Sequence, residues 1–385
     1  MTEGMNMTEA SHGSGRSTLR RAAPLVAGGA CVALLATLPL LNIRVPGILP
    51  TATYQPGTLA LLSLAMIFAG LALSYNMLLG TAGMLSFGHA LYFGAGAYGL
   101  GIVLENLSVP LWPGILIALV GGLVIALVTG AVSIRVTGIP FAMVTLAFAQ
   151  GGSVLVRRNA AVTGGDEGLS LNTDHVPDFF LGVINTRNMY WLTLAILVFV
   201  YLVALWIDRS RLGHLSRASR ENDLRLQVLG LRPAYAKLIT FAAAGLCASL
   251  MGVVYVLLQS GTTPTAVSAD LTITILVMVV LGGVGFRWGA IVGGVLYTLL
   301  DQRLTVLAGS DVIASLPDVL RVPLSQPLFI LGVLFILVVM FLPGGIAGTV
   351  DAWWRRRRGR ARATSLRALD AESAGAPDIA QEARP

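Results

Sequence analysis

Lysine is almost missing from this chain of 385 residues: the only one, Lys237, lies in "AYAKLIT" and not behind a glycine loop that could cradle phosphates. A P-loop ATPase needs that lysine on the nucleotide phosphates, so ATP hydrolysis by this route is excluded and any ATP must be bound by a partner. Histidine is equally sparse. His12, His89, His175 and His214 are scattered, with no H-E-x-x-H and no cysteine at ligand spacing, so no metal site is expected. The two cysteines, Cys31 and Cys247, sit far apart in apolar runs and read as small buried residues, not as a disulfide. "LQSG" around Ser260 has neither a convincing base nor an oxyanion loop beside it, which leaves an intramembrane hydrolase unsupported. Charge is the largest deficit. Only 12% of residues are charged and mean hydropathy is +0.78, too little polar surface to clothe a water-soluble globule of this size. The roughly ten-residue alternating segments of a membrane β-barrel are also missing.

What is present is a series of apolar runs, several near the roughly 20 residues that let a helix cross about 30 Å of hydrocarbon. The fold class is therefore all-α: a polytopic helical membrane protein of about ten hydrophobic segments. They are placed at residues 22–41, 57–79, 84–104, 112–134, 138–156, 189–207, 237–258, 271–284, 289–308 and 326–342. The first resembles a signal peptide at its basic flank, but it is long and lacks a cleavage signal, so it is read as an uncleaved span. With the N-terminus cytoplasmic, the cytoplasmic side collects three cations in the N-tail, Arg135, seven in residues 208–237, Arg287 and eight in the C-tail, against six elsewhere. This satisfies the positive-inside rule and places both termini in the cytoplasm. The net charge of +7 is thus explained by topology, with no nucleic acid as partner.

Three regions follow. Residues 1–18 and 346–385 are tails, the second opening with the interfacial anchor "WWRRRR" at Trp353–Arg358, and residues 19–345 form the membrane domain. Two connections are long enough to carry structure. The outer one, 157–188, contains "TGGDEGLSL", whose glycines suit tight turns and whose Asp166 and Glu167 face outward. The inner one, 208–236, predicts one short amphipathic helix with Leu224, Val228 and Leu231 on a shared face, Gly230 as a left-handed cap and Pro233 forbidding continuation. A helix tethered at both ends by spans on the cytoplasmic face is a docking element.

Glycine is abundant where a span should be continuous. "GTAGMLSFGHA" carries Gly80, Gly83 and Gly88, and predicts a break that frees backbone polar groups near Asn76, Ser86 and His89. Beyond it, Gly94, Ala97 and Gly101 form a small-residue stripe suited to close helix packing. His89 by itself reads more readily as a packing residue than as a ligand. The short segment 271–284, followed by "GGVGFRWGA", predicts a second discontinuity, with Arg287 as a topological anchor. A pair of interrupted segments points to a transport pathway.

Four blocks in order resemble the permeases of branched-chain amino-acid ABC importers, the LivM type. They are Asn76–Tyr98, "TGGDEGL" at Thr163–Leu169, Ser216–Gly245 and Ile275–Gly294. The resemblance implies a permease subunit with no cofactor of its own, in a bacterial cytoplasmic (inner) membrane. The implied partners are a second homologous permease, two cytoplasmic ATPases that bind ATP, an extracytoplasmic substrate-binding protein and membrane lipids. Arg220, Glu221, Asn222 and Gly230 match the family's ATPase-coupling loop, in which relatives commonly carry Glu where this chain has Asp223. Candidate pathway residues are Asn76, Gly83, Ser86, Gly88 and His89. Candidate binding-protein contacts are Thr163, Gly164, Gly165 and Asp166. Permeases for urea and short amides look similar. An ion-coupled carrier is weakened by the shortage of intramembrane ionisable groups, with only His89, Glu105, Asp301 and Arg303 available. A passive channel would equilibrate its solute without accumulating it.

Overall fold

A computed structural model describes residues 28–43, 50–107, 109–174, 176–180, 185–309, 325–342 and 344–356. The helices are α1 (Gly28–Leu40), α2 (Pro56–Asn76), α3 (His89–Leu107), α4 (Leu111–Ser133), α5 (Ile139–Arg158), the single turn α6 (Ala160–Thr163) and α7 (Thr186–Arg209). They continue with α8 (Arg211–Glu221), α9 (Asp223–Val228), α10 (Pro233–Gln259), α11 (Ala269–Gly282), α12 (Arg287–Ala308), α13 (Pro327–Phe341) and α14 (345–356). The only strands among the described residues are two of two residues each, β1 (Leu169–Ser170) and β2 (Gly261–Thr262), paired antiparallel.

Each of the ten predicted segments meets a helix. Seven helical runs are long and apolar enough to cross a membrane: Pro56–Ala82, α4, α5, α7, α10, α12 and Pro327–Arg356. The chain is thus an all-α, multi-pass membrane protein. The start of the first predicted span (22–27), the tail 1–18, most of the C-terminal tail and His175 lie outside the described residues.

The core is built on α2, α3 and α10. The most apolar stretches of α2 and α10 are 67% and 72% buried within the chain, against 22% for α12, whose flank is left for lipid or another subunit. Reciprocal glycines set the α3–α10 distance. A Cβ on Gly96 would stand 1.9 Å from the Ser249 carbonyl oxygen, and one on Gly252 equally close to that of Phe93. The Ser249 hydroxyl then donates to the Tyr92 carbonyl at 2.8 Å. This corrects the reading of the small-residue stripe. Gly94 faces Val267 and Gly101 faces Leu169, both from the outer connections, whereas Gly96 admits the neighbouring helix.

Two further expectations are corrected. Cys31 is exposed because α1 meets the bundle only at its C-terminal end, where Tyr190 and Trp191 donate to the Leu35 and Ala36 carbonyls, while residues 28–34 are exposed all round; Cys247 is buried as expected. The inner connection holds two helices, not one. Asn222 is extended between them, ends α8 and caps α9 by accepting from the Arg225 backbone N–H at 3.1 Å.

Candidate functional site

At the inner end of α2 the regular helix fails. Met77–Ala82 form a π-helix, which is ended by Gly83 at φ +67° and followed by a non-helical stretch to Gly88 before α3 begins at His89. The glycine-rich segment is therefore a broken helix, and several groups at the break are met by partners from distant segments. Asn76 Oδ1 accepts from the Gly285 backbone N–H at 2.8 Å, joining the first break to the turn after α11. A Cβ on Gly80 would strike Gly285 Cα at 2.8 Å, so the two breaks touch through backbone. The start of α3 is served from two sides: Thr145 of α5 accepts from Phe87 N–H at 3.0 Å, and Thr272 of α11 accepts from Ala90 N–H at 3.0 Å. The α11 contact places the start of that 14-residue helix beside α3, and about 21 Å of helix is too short to span the hydrocarbon.

The predicted pathway residues are mostly enclosed in this packing. Asn76, Ser86, Gly88 and His89 are buried, and Gly83 alone opens onto a cavity. Ser74 spends its hydroxyl proton on the Leu71 carbonyl at 2.7 Å, so His89 Nε2, 2.8 Å away, is the donor to Ser74 Oγ and the ring is held as the Nε2–H tautomer. Ser86 accepts from Gly88 N–H through its hydroxyl and from the Tyr75 hydroxyl through its carbonyl.

The α8–α9 connection grips the break directly. Arg220 Nη1 donates to the Gly80 carbonyl oxygen at 2.9 Å, and its aliphatic stem passes where a Gly83 side chain would stand. Asp208, buried at the end of α7, accepts from Thr81 Oγ1 at 2.8 Å and pairs with Arg217 of α8 at 2.8 Å and with Arg287 of α12. Arg287 is thus an internal ion-pair partner and not the free topological anchor expected. Asp208, Thr81 and Arg217 were not anticipated, although a lone carboxylate at an arginine-rich span end was a usable signal.

Arg220, Asp223 and Lys237 line a cavity of about 500 Å³ with residues Ala82–Leu85, the α4–α5 loop and the start of α5; Asp223 and Lys237 pair at 2.5 Å. Glu221 and Asn222 are exposed. Gly230, at φ +77°, closes α9 as expected, with Gly230 N–H on Gln227 and Leu231 N–H on Leu226. One apolar residue of α9, Leu226, is buried as an anchor, while Leu224, Val228 and Leu229 are 71%, 87% and 73% exposed. At the opposite end Thr163 Oγ1 donates to the Asn159 carbonyl at 2.8 Å. Gly164, Gly165 and Gly168 all have positive φ and fold "TGGDEGL" back onto the β1–β2 pair, leaving Asp166 exposed beside Arg157 at 3.6 Å.

This arrangement defines a class: a multi-pass helical membrane protein whose broken central span is held by the α8–α9 connection, which carries an exposed apolar helix. The comparisons give the family. Residues 57–348 match "Branched-chain amino acid transport system / permease component", and the chain belongs to that family. The "High-affinity branched-chain amino acid transport system permease protein LivM" of Escherichia coli (strain K12) is 25% identical over 274 residues, 64% of each chain. BraD, the protein of the same description in Pseudomonas aeruginosa, is 27% identical over 308 residues, 74% of this chain and 93% of its own. A "Probable branched-chain amino acid transport permease protein LivM" of Methanocaldococcus jannaschii is 26% identical over 325 residues, with the same coverage. The chain spans about 64% of the length of the Escherichia coli relative. Family and fold together mark a transport subunit.

Proposed function

We propose that this chain is the membrane-spanning permease of an ABC importer and translocates branched-chain amino acids by alternating access. Two cytoplasmic ATPases bind and hydrolyse the ATP, a second homologous permease completes the membrane domain, and an extracytoplasmic binding protein delivers substrate to the face carrying Thr163–Asp166. The membrane is the bacterial inner membrane, with both termini in the cytoplasm. Supporting that side assignment, the α4–α5 loop around Arg135, the 208–237 connection and Arg287 all gather at one end of the bundle.

The observation that carries the reading is the Arg220 to Gly80 hydrogen bond. It joins the segment that resembles an ATPase-coupling loop to the broken end of α2, one of the two most buried spans among the described residues. Movement of α8 and α9 by a closing ATPase pair therefore pulls on backbone that is already out of α-helical register. The exposed Leu224, Val228 and Leu229 supply the apolar surface by which an ATPase takes hold.

The test is leucine uptake by proteoliposomes containing both permeases, the ATPases and the binding protein, with and without internal ATP. ATP-dependent accumulation is expected. ATP-driven uptake of urea in place of leucine would change the cargo and keep the machine; accumulation under an ion gradient without ATP would replace the reading with a coupled carrier.

A further inference from the structure

Asn76, Ser86 and His89 are enclosed in packing inside this one chain, so a translocating solute needs other polar groups to meet it. The outer flank of α5 offers one. Met143, Ala147, Gln150, Gly151 and Val154 recur at helical spacing and are all exposed. Gln150 stands about 16 Å from the start of α5, near the middle of its 20 residues and hence near the bilayer centre. Its amide has no hydrogen-bond partner among the described residues. A Cβ on Gly151 would meet nothing within 4 Å.

Lipid is a poor neighbour for this flank, because an unsatisfied amide in hydrocarbon is costly. The neighbouring α4 shows what a lipid-compatible flank looks like in the same chain: its exposed positions include Leu116, Ile117, Val120, Gly121, Val124 and Val128, so a bare glycine is shared by both flanks and the Gln150 amide is what sets the α5 flank apart. The α5 flank also leads somewhere at both ends. Met143 lines the 500 Å³ cytoplasmic cavity beside Arg220 and Lys237, and Arg157, at the outer end, reaches Asp166 of the outer loop.

We propose that this flank of α5 lines the translocation pathway, with Gln150 as the group that hydrogen-bonds the charged head of the amino acid midway across the membrane. The inference rests on the importer reading above. A primary amide suits the task, since its oxygen accepts from an ammonium and its NH₂ donates to a carboxylate, and it carries no charge of its own into the hydrocarbon. Met143 and Val154 provide apolar contact for a branched side chain, the first of them adaptable in shape.

The test uses the complete reconstituted importer and leucine as probe. Gln150→Leu is expected to lower ATP-dependent leucine accumulation about tenfold or more, the loss of one hydrogen bond to a charged group, with the assembled complex recovered in normal amount. A second variant, Gly151→Cys in a background lacking Cys31 and Cys247, is expected to react with a water-soluble thiol reagent and to be protected by leucine during turnover. Wild-type accumulation by Gln150→Leu would overturn the proposal. So would labelling of Gly151→Cys only by a lipid-soluble reagent, labelling without leucine protection, or a site dry to both reagents, as expected of a closed subunit interface. Wild-type vesicles that fail to accumulate leucine with ATP overturn the importer reading itself, and they are measured before any variant.

Discussion

The Arg220 guanidinium donates to the Gly80 carbonyl oxygen at 2.9 Å across a sequence separation of 140 residues. Gly80 lies in the π-helical turn, where altered register leaves carbonyls available to outside donors. Gly83, left-handed at φ +67°, provides the room for the arginine stem. The α8–α9 connection therefore holds the broken helix by its backbone, at a place where glycine leaves room for the arginine.

Replacing Arg220 by Gln is expected to uncouple the machine. The side chain is exposed, so the cost to folding is within about 1 kcal/mol and assembled transporter is recovered in normal amount. Transport per ATP hydrolysed is expected to fall several-fold, measured as labelled leucine accumulated against phosphate released in the same vesicles. An unchanged ratio would remove the bond from the coupling mechanism.

Asp208 presents the opposite balance, because its side chain is 9% exposed and two arginines from two helices converge on it. Asp208→Asn leaves Arg287 with a desolvated charge and is expected to cost about 2 kcal/mol, less than for a fully buried pair because Arg217 and Arg287 remain partly solvated. Adding Arg287→Met is expected to recover at least about 1 kcal/mol of that loss. Thermal unfolding of the single and double variants in detergent checks it, and strictly additive losses would show that the pair does not act as a unit.

Much of this architecture was legible in the sequence, because bilayer thickness imposes a similar length on most apolar runs and glycine clusters mark where a helix stops. All ten segments met helices, both breaks fell on their glycine clusters, and Gly230 is the left-handed cap that its place before Pro233 suggested. What stayed hidden depends on contacts between distant segments. No local pattern shows that Asp208 sits between Arg217 and Arg287, or that Gly96 and not Gly94 meets α10. Cys31 misled for a related reason, since hydropathy places a residue in the membrane and does not say which part of its helix is covered by the rest of the chain.

The α3–α10 contact gives a steric prediction with an internal control. Gly96→Ala brings a methyl group to 1.9 Å from a backbone oxygen that cannot rotate away, so the helices must separate at an expected cost of roughly 2 kcal/mol or more. Gly121→Ala, in the interior of α4 with open space around it, is expected to be neutral or to gain up to about 1 kcal/mol. Size-exclusion profiles of the two variants in the same detergent, followed by thermal midpoints, separate the cases. Equal behaviour would mean that α3 and α10 do not pack this closely.

The apolar surface of α9 should matter to the assembly and not to this chain alone. Leu226 turns inward and anchors the turn, whereas Val228 is 87% exposed and contributes little to the chain's own packing. Val228→Asp is therefore expected to leave the thermal midpoint of the isolated chain unchanged, within about 0.5 kcal/mol, as for a surface substitution away from structural features. In the assembly the same carboxylate has to be desolvated against the ATPase groove, so co-purification of the ATPases is expected to be lost. Leu226→Asp serves as the contrast: it should damage the isolated chain as well, because it removes the anchor that holds α9 against its neighbours. Retention of the ATPases by Val228→Asp at normal stoichiometry would show that they dock elsewhere on the cytoplasmic face, and the Arg220 linkage would then have to be driven from that other contact.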